Sequence, residues 1–381
     1  MMTRPKRNLD LARNRCWRLF PCLLALTLLL LLAACGGDEL PKGENTATPT
    51  LSVAPTAQPT AAPQSTVTPQ ATPTAAATPI PTATATPEPA SVSISNCGVE
   101  TVYNSVPQRV VATDTSALEV LMALDLQDHV IGYFGGTPDR LQPQHQARAA
   151  LVERLGGSFP YPSLEAVLGP GPDLVFSYGF NESVGLTGQN LRNAEVHSFS
   201  FTEACPDFSD NVTLEVMFGD LRAVAQIFDV ETRAEELIAA WDQQIAEVAA
   251  AIPDGERVRV FYFDSGEEAP FTALAGSVMS DIISRAGGVN ILSDVSGTWG
   301  TVEWEAVVEG DPELIIFVDY GFGGPDANRV FLESNPSLSG MSAVVNGQYM
   351  TLTFLQSVPG PQNLDGLIEV ATAVRRVNAA R

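Results

Sequence analysis

The sequence predicts an α/β protein with two lobes, each a parallel sheet flanked by helices, joined by a long rigid helix. The first observation is a segment written twice, LEAVLGPGPDLVF at 164–176 and WEAVVEGDPELII at 304–316. Each copy has a helical turn carrying a glutamate, a proline that stops it, and an apolar run typical of a buried strand. The second observation is a long stretch between the copies, 212–252, without a strand pattern. Together they predict two similar lobes on either side of a helical connection.

Strand and helix patterns alternate in both predicted lobes, which are 92–211 and 256–381. Short apolar runs predict strands at 109–113, 130–132, 173–177, 195–199, 257–263 and 314–318. Helical spacing predicts helices at 116–124, 277–286 and 364–377. This alternation favours parallel sheets, because parallel neighbours need a crossover connection that is usually a helix.

The connection, 212–255, is predicted to contain a first helix ending at Phe228 and a second helix after it. Asp229 is the predicted N-cap of the second helix, and Pro253 and Gly255 belong to its stop signal. Apolar residues lie three or four apart in the second helix: Ala234, Leu237, Ile238, Trp241, Ile245, Val248 and Ile252. At 1.5 Å per residue this helix spans roughly 30 Å, about the width of a small domain.

The first 91 residues have the composition of a targeting segment and a tether. Residues 1–35 combine a basic start with a short apolar core and end in LAACGG, which resembles the bacterial lipoprotein signal with lipid on Cys35. An ordinary signal peptide that contains a cysteine is the alternative. Residues 36–91 are rich in Thr, Pro and Ala and are predicted to be a disordered tether, with sites open to O-glycosylation. We therefore expect an extracytoplasmic protein, lipid-anchored to the bacterial cell membrane.

Two cysteines, Cys97 and Cys205, remain beyond the lipidation site. In an exported chain they predict a disulfide, and two free buried thiols are the alternative.

The chain has a formal net charge of −23, and beyond residue 35 it carries 15 basic and 43 acidic residues. Because nucleic-acid binding needs a cationic surface, this charge excludes nucleic acid as a partner.

Several stretches give the chain a family resemblance that covers about 98–378. They are PQRVVATDTSALEVLMALDLQDHVIG (107–132), SLEAVLGPGPDLVFS (163–177), APFTA (269–273) and WEAVVEGDPELIIF (304–317). The chain resembles the substrate-binding proteins of ABC importers that deliver ferric siderophores, haem and cobalamin. The resemblance implies the class III periplasmic-binding-protein fold, an ABC permease and its ATPase as partners, and a monomer. It also implies a protein without catalytic activity or cofactor.

The resemblance further implies a role for the glutamate of each repeated segment. In that family each lobe presents a surface glutamate that pairs with arginines on the permease, and Glu165 and Glu305 occupy those places. Glu303 is a close competitor for Glu305. The alternative is that these glutamates are simply solvated residues on a helix surface.

Aromatic residues after the predicted strands are the candidate ligand contacts. The resemblance implies a ligand in the cleft between the lobes, where Trp299 matches a pocket tryptophan of hydroxamate-siderophore and cobalamin binders and Phe271 an aromatic of cobalamin binders. Phe159 stands where hydroxamate binders carry Arg and cobalamin binders carry Trp, and Phe180 stands where hydroxamate binders carry Tyr. The remaining candidates at comparable loop positions are Tyr133, Phe134, Tyr178, Tyr320 and Phe322. Such aromatics suit a large flat or apolar chelate.

Motifs of catalysis or of a bound metal do not occur in the sequence. It has no GxSxG elbow, no P-loop and no Cys/His zinc spacing, and its histidines, 129, 145 and 197, are scattered. No metal site is assigned. Ferric iron held directly by Tyr178, Tyr320 and Asp264 is an alternative.

The predicted function is capture of a metal chelate, first of all a ferric siderophore, for delivery to an ABC permease. Cobalamin, another cobamide or haem is the alternative cargo. A second alternative is a stalked surface module for sensing or adhesion without transport. An enzyme that hydrolyses a bound chelate is the most remote interpretation.

Overall fold

The computed structural model describes residues 91–381 except 160, 207, 209, 210, 253, 254 and 322. These residues belong to one compact unit, Thr82–Arg381. The predicted signal segment, Cys35 and almost all of the predicted tether lie outside the described residues. Within the described part, no helix combines the length and the apolar character needed to cross a membrane.

The N-terminal lobe is a parallel sheet with a small hairpin beside it. Its strands are β1 (Val92–Asn96), β2 (Val99–Tyr103), β3 (Val110–Ala112), β4 (Val130–Phe134), β5 (Arg154–Gly156), β6 (Leu174–Ser177) and β7 (His197–Ser200). Its helices are α1 (Thr115–Ala123), α2 (Pro143–Ala149), α3 (Leu164–Leu168) and α4 (Gly188–Asn193). Strands β1 and β2 pair antiparallel, and the other five form a parallel sheet in the order β5-β4-β3-β6-β7. The central strand β3 is buried on both faces, as expected between layers of helices.

The C-terminal lobe repeats this plan. Its strands are β8 (Val258–Phe263), β9 (Phe271–Ala273), β10 (Gly288–Asn290), β11 (Trp299–Thr301), β12 (Leu314–Asp319) and β13 (Tyr349–Thr353). Its helices are α7 (Val278–Arg285), α8 (Trp304–Gly310), α9 (Pro325–Ser334), α10 (Ser342–Val345), α11 (Phe354–Ser357) and α12 (Asn363–Ala380). The parallel sheet has the order β10-β8-β12-β13, and β9 pairs with β11 antiparallel.

The repeated sequence segment occupies the same place in both sheets. In the N-terminal lobe α3 leads into β6, which lies beside the first sheet strand, β3. In the C-terminal lobe α8 leads into β12, which lies beside the first sheet strand, β8. The sequence repeat is therefore a repeat of topology, with one glutamate-bearing helix in each lobe.

Two consecutive helices, α5 (Leu214–Phe228) and α6 (Glu231–Ala250), connect the lobes. The prediction that Asp229 caps the second helix is wrong. Asp229 instead ends α5 in the left-handed conformation, with φ 58°, and its N–H donates to the carbonyls of Ala225 and Gln226. A sharp reversal between packed helices needs one left-handed residue, which Asp tolerates better than most.

Both connecting helices contact both lobes. In α5, Asp220 accepts hydrogen bonds from Thr202 of the N-terminal lobe, and the Leu214 N–H donates to Asp281 of α7 in the C-terminal lobe. In α6, Arg233 Nε donates to the Ala123 carbonyl of the N-terminal lobe, and the helix packs against α7 and α12. Because both helices are held by contacts to both lobes, the connection is a rigid part of the structure and not a flexible linker.

A disulfide joins Cys97, in the turn of the β1–β2 hairpin, to Cys205 after β7. The bond closes a loop with a sequence separation of 108 residues. We expect Cys97→Ser with Cys205→Ser to lower the free energy of unfolding by about 4 kcal/mol, because the unfolded chain regains loop entropy. Urea unfolding of the purified chain measures this loss, and wild-type protein with its disulfide reduced should match the variant. Equal stability of the variant and the oxidised wild type would contradict the expectation.

Candidate ligand-binding cleft between the lobes

The carboxyl ends of the two parallel sheets face each other across the gap between the lobes. The loop after β4 carries Arg140, and the loop after β12 carries Gly321. A Cβ placed on Gly321 would coincide with the Arg140 guanidinium, so these two loops meet directly. Ligands of open α/β sheets bind at the carboxyl ends of the strands. The cleft bounded by these loops is therefore the candidate site.

Trp299 and Phe271 form an aromatic wall on the C-terminal side. They lie on the paired strands β11 and β9, with ring centroids 6.4 Å apart and an interplanar angle of 18°. The ring centroid of Trp299 also lies 5.6 Å from that of Tyr262, with the two rings at 65° to each other. The Phe271 side chain is 38% exposed. This pair, predicted from the sequence as ligand contacts, presents a flat apolar surface.

Glu203 joins the lobes beside Trp299. Its Oε1 accepts from the Val278 N–H at the start of α7, at 2.9 Å, and its Oε2 accepts from the Tyr178 hydroxyl, at 2.8 Å. Burial raises the pKa of Glu203, which is 5% exposed, while these donors and the indole of Trp299 lower it. The indole Nε1 is nonetheless buried without a well-aligned acceptor. Sequence reasoning missed Glu203, since nothing in its neighbourhood marks it.

The phenols of Tyr178 and Tyr320 are both committed to carboxylates. Tyr178 donates to Glu203, and Tyr320 donates to Asp264 at 2.7 Å. Burial is the largest cause that raises the pKa of both phenols and of Asp264. Direct binding of ferric iron needs phenolates and free carboxylate oxygens, so this arrangement disfavours it. Among the described residues, no group of three or more His, Cys, Asp or Glu is placed to hold a metal ion.

The loop after β5 carries two further exposed aromatics. Phe159 is 84% exposed and Tyr161 is 46% exposed. Burial is the main cause that raises the pKa values of Tyr178 and Tyr320, and the Tyr161 phenol lies close enough to both to add to it. Tyr161 therefore lies near one phenol of each lobe. Sequence reasoning named Phe159 but not Tyr161, although the alternation of aromatic residues with proline at 159–162 could have indicated it.

Three other predicted contacts lie elsewhere. Tyr133 and Phe134 are 1% and 5% exposed and belong to different core clusters, on opposite faces of the sheet. They are core residues because β4 continues to Phe134, beyond the predicted end of the strand at 132. Phe180 lines a separate cavity of about 240 Å³ beside the disulfide, and all of that cavity's lining residues come from the N-terminal lobe. Phe322 lies outside the described residues.

The two candidate docking glutamates occupy equivalent places. Glu165 is the second residue of α3 and Glu305 the second residue of α8, and both are exposed. Glu303, the competitor, is exposed at the N-cap position of α8. One surface carboxylate per lobe therefore precedes the equivalent strands β6 and β12.

The histidines contact protein groups away from this cleft. His129 Nδ1 lies 2.7 Å from the Pro107 carbonyl, and the ring of His197 lies 4.8 Å from that of Tyr103. His145 is 4% exposed, and burial lowers its pKa to about 4. The surroundings of all three histidines therefore indicate a role in packing and not in ligand binding.

Comparison with known proteins assigns the fold to a family. The sequence profile described as periplasmic binding protein matches residues 110–354, well over half of the chain. The chain belongs to this family. The predicted two-lobed α/β architecture is confirmed, and it is the class III fold of periplasmic binding proteins, a family of binding proteins that work outside the cytoplasm.

Individual relatives differ in what their names say they bind. A "Cobalamin-binding protein" of Halobacterium salinarum is 26% identical over 218 residues, 56% of this chain and 54% of the relative. A "Vitamin B12-binding protein" of Pectobacterium atrosepticum is 26% identical over 222 residues, 57% of this chain and 73% of the relative. This periplasmic binding protein thus spans about half the length of the first of these relatives.

A solved structure supports the fold. A structure described as an ABC-type Fe3+-hydroxamate transport system from Saccharomonospora viridis has a TM-score of 0.67 and 23% identity. The match covers 74% of this chain and 98% of that one. At this identity the likeness establishes the fold alone.

Proposed function

We propose that this periplasmic binding protein captures a metal chelate in the inter-lobe cleft and delivers it to an ABC permease with its ATPase. It acts as a monomer, without catalysis or a cofactor, from the outer face of the membrane, where lipid on Cys35 anchors it. Family membership supports the transport role. The matched positions of Glu165 and Glu305 support docking to a permease through both lobes.

We infer further that the chelate is a cobamide. The observation that carries this is the stacked pair of Phe271 and Trp299, with ring centroids 6.4 Å apart and Phe271 exposed. An exposed aromatic surface of this kind suits a broad, flat macrocycle, since each ring covers much ligand area with few frozen rotors. The named cobalamin binders among the relatives support this choice over the ferric siderophore that the sequence analysis placed first.

A ferric siderophore is the second candidate. Arg140, a half-buried cation at the meeting point of the lobes, favours it because many iron chelates carry anionic groups. Haem, the third candidate, has the same flat shape as a cobamide. Ligand titration distinguishes haem from a cobamide and from a ferric siderophore. The alternative of a stalked module for sensing or adhesion is tested by measuring chelate uptake, because such a module would bind the chelate without importing it.

Ligand titration tests the proposed cargo. We expect cyanocobalamin to quench the tryptophan fluorescence of the purified chain saturably at sub-micromolar concentration, whereas haemin and ferric hydroxamate siderophores do not. Trp299→Ala should weaken binding about 30-fold, corresponding to about 2 kcal/mol for a buried tryptophan contact. Calorimetry measures this affinity independently of the fluorescence reporter.

Two conservative variants control the assignment. Trp299→Phe should retain most of the affinity but lose most of the quenching. Trp241→Phe should retain both, because Trp241 is buried on α6 against Phe218. Tighter binding of a siderophore or of haemin than of cyanocobalamin would overturn the cobamide proposal.

A further inference from the structure

Arg140 is the one described arginine whose side chain makes no hydrogen bond and no ion pair. The other arginines of the described part each bond a carboxylate, a carbonyl, an amide or a hydroxyl. A hydrogen bond from Thr137 is the main cause that lowers the pKa of the neighbouring Asp139, and the charge of Arg140 adds to it without forming an ion pair. In a chain with net charge −23 and 44 acidic residues, an unpaired arginine is unexpected.

The backbone and stem of Arg140 are nevertheless held in place. Its carbonyl accepts a hydrogen bond from Gln362 Nε2 of the C-terminal lobe at 2.9 Å. Its Cγ would lie 3.2 Å from a Cβ on Gly136, so the aliphatic stem runs closely against that glycine. Only the guanidinium is left without a partner, and a guanidinium whose stem is already ordered loses little entropy on binding.

The guanidinium lies across the cleft against Gly321. A Cβ at Gly321 would coincide with it, and Gly321 has φ +85°, a conformation that other residues rarely adopt. The two glycines, Gly136 and Gly321, thus leave a space between the lobes that the guanidinium fills. Half-buried there, the cation loses part of its hydration without gaining a hydrogen bond.

We propose that Arg140 recognises an anionic group of the bound chelate, and that the cleft therefore selects chelates with such a group beside the loops after β4 and β12. The guanidinium leaves Gly321 and pairs with the anion through two parallel N–H···O bonds. This rests on the proposed function, and for a cobamide the group is the phosphodiester of the nucleotide arm. Sequence reasoning did not indicate this role, because the position at which hydroxamate binders carry an anion-pairing arginine holds Phe159.

Two corrinoids, one with and one without the nucleotide arm that carries the phosphodiester, test the proposal. Cyanocobalamin carries the phosphodiester, and dicyanocobinamide lacks it. We expect Arg140→Gln to weaken binding of cyanocobalamin by roughly tenfold to a hundredfold, as for a hydrogen bond to a charged group. Binding of dicyanocobinamide should change less than about twofold. Arg140→Lys should recover part of the affinity, since it keeps the charge but not the paired donors.

Arg375→Gln is the matched control, because it removes the same charge from α12, where the guanidinium bonds the Thr372 hydroxyl. It should bind both corrinoids like the wild type. Unchanged cyanocobalamin binding by Arg140→Gln would overturn the proposal, and so would an equal loss for both corrinoids, which indicates a structural role.

The proposed cargo and the Arg140 inference fail in different ways. If the wild type binds neither corrinoid, the cobamide proposal fails, and the same variants are titrated with an anionic ferric tricatecholate and a neutral ferric trihydroxamate. A loss confined to the tricatecholate would then support anion recognition by Arg140. A loss for neither chelate, or equally for both, would refute it.

Discussion

The double substitution Glu165→Ala with Glu305→Ala should reduce chelate uptake by cells at least tenfold and leave the ligand affinity of the purified protein unchanged. Each glutamate is exposed at the start of a helix, one in each lobe, and neither belongs to the cleft. Rim charges of this kind steer and orient a complex, so their loss affects docking rather than ligand binding. Uptake of labelled chelate, together with calorimetry of the purified variant, measures both quantities.

Glu153→Ala with Glu256→Ala is the matched control, because it removes one exposed carboxylate from each lobe and changes the net charge equally. That control should import the chelate at the wild-type rate. Wild-type uptake by the Glu165/Glu305 variant would contradict the docking assignment. Loss of uptake with Glu303→Ala but not with Glu305→Ala would transfer the role to Glu303. Ligand binding without uptake in the wild type would favour the sensing module.

The protein should lose stability as the pH rises from 4.5 to 8. Burial raises the pKa of Glu119 and of Asp220 to about 7 in the folded state. A carboxyl with a raised folded pKa holds a proton that the unfolded chain has released, so its contribution is complete below the unfolded pKa and is lost as the pH rises towards 7. At about 1.4 kcal/mol per pKa unit, each group accounts for up to about 3 kcal/mol.

His145 acts in the opposite direction. Burial lowers its pKa from 6.5 to about 4, so its contribution is lost as the pH falls through that window. One of the two carboxyl contributions is thereby offset. The net expectation is a fall in the free energy of unfolding on the order of 3 kcal/mol between pH 4.5 and 8.

Urea unfolding of the wild type and of Glu119→Gln at pH 4.5 and pH 8 measures this dependence. Glu119 accepts hydrogen bonds from the Gln142 N–H and from Gln362 of the C-terminal lobe, so the site lies where the lobes meet. Glutamine cannot ionise, and the variant should therefore show a smaller fall than the wild type. The same pH dependence in both proteins would show that folding does not raise the pKa of Glu119.

Much of the architecture follows from local pattern. The strands β3, β4, β6, β8 and β12 and the helices α1, α5, α7 and α12 arise from apolar runs and helical spacing that neighbouring residues encode. The strands β1, β2, β5, β9, β10, β11 and β13 are absent from the predicted set, because none of them is an uninterrupted apolar run. The repeated segment alone predicts equivalent positions for Glu165 and Glu305, and they are the second residues of α3 and α8.

The cleft is predictable only in part. Trp299 and Phe271 are named by the family resemblance, and they stack as a pair because the paired strands β9 and β11 bring them together. Tyr133 and Phe134 are predicted as loop residues because a strand boundary is the least certain feature of an apolar run. Two more residues of β4 make them core residues instead.

The sequence by itself determined the lobes, the family and the glutamate of each repeat, because consecutive residues carry those patterns. Only the tertiary structure decided that Glu203 bonds the start of α7, that Tyr161 lies near both Tyr178 and Tyr320, and that Arg140 lies against Gly321. These residues meet across the lobes although they are far apart in the chain. Such a contact leaves no periodicity in either segment, so folding must bring the two sheets together before it exists.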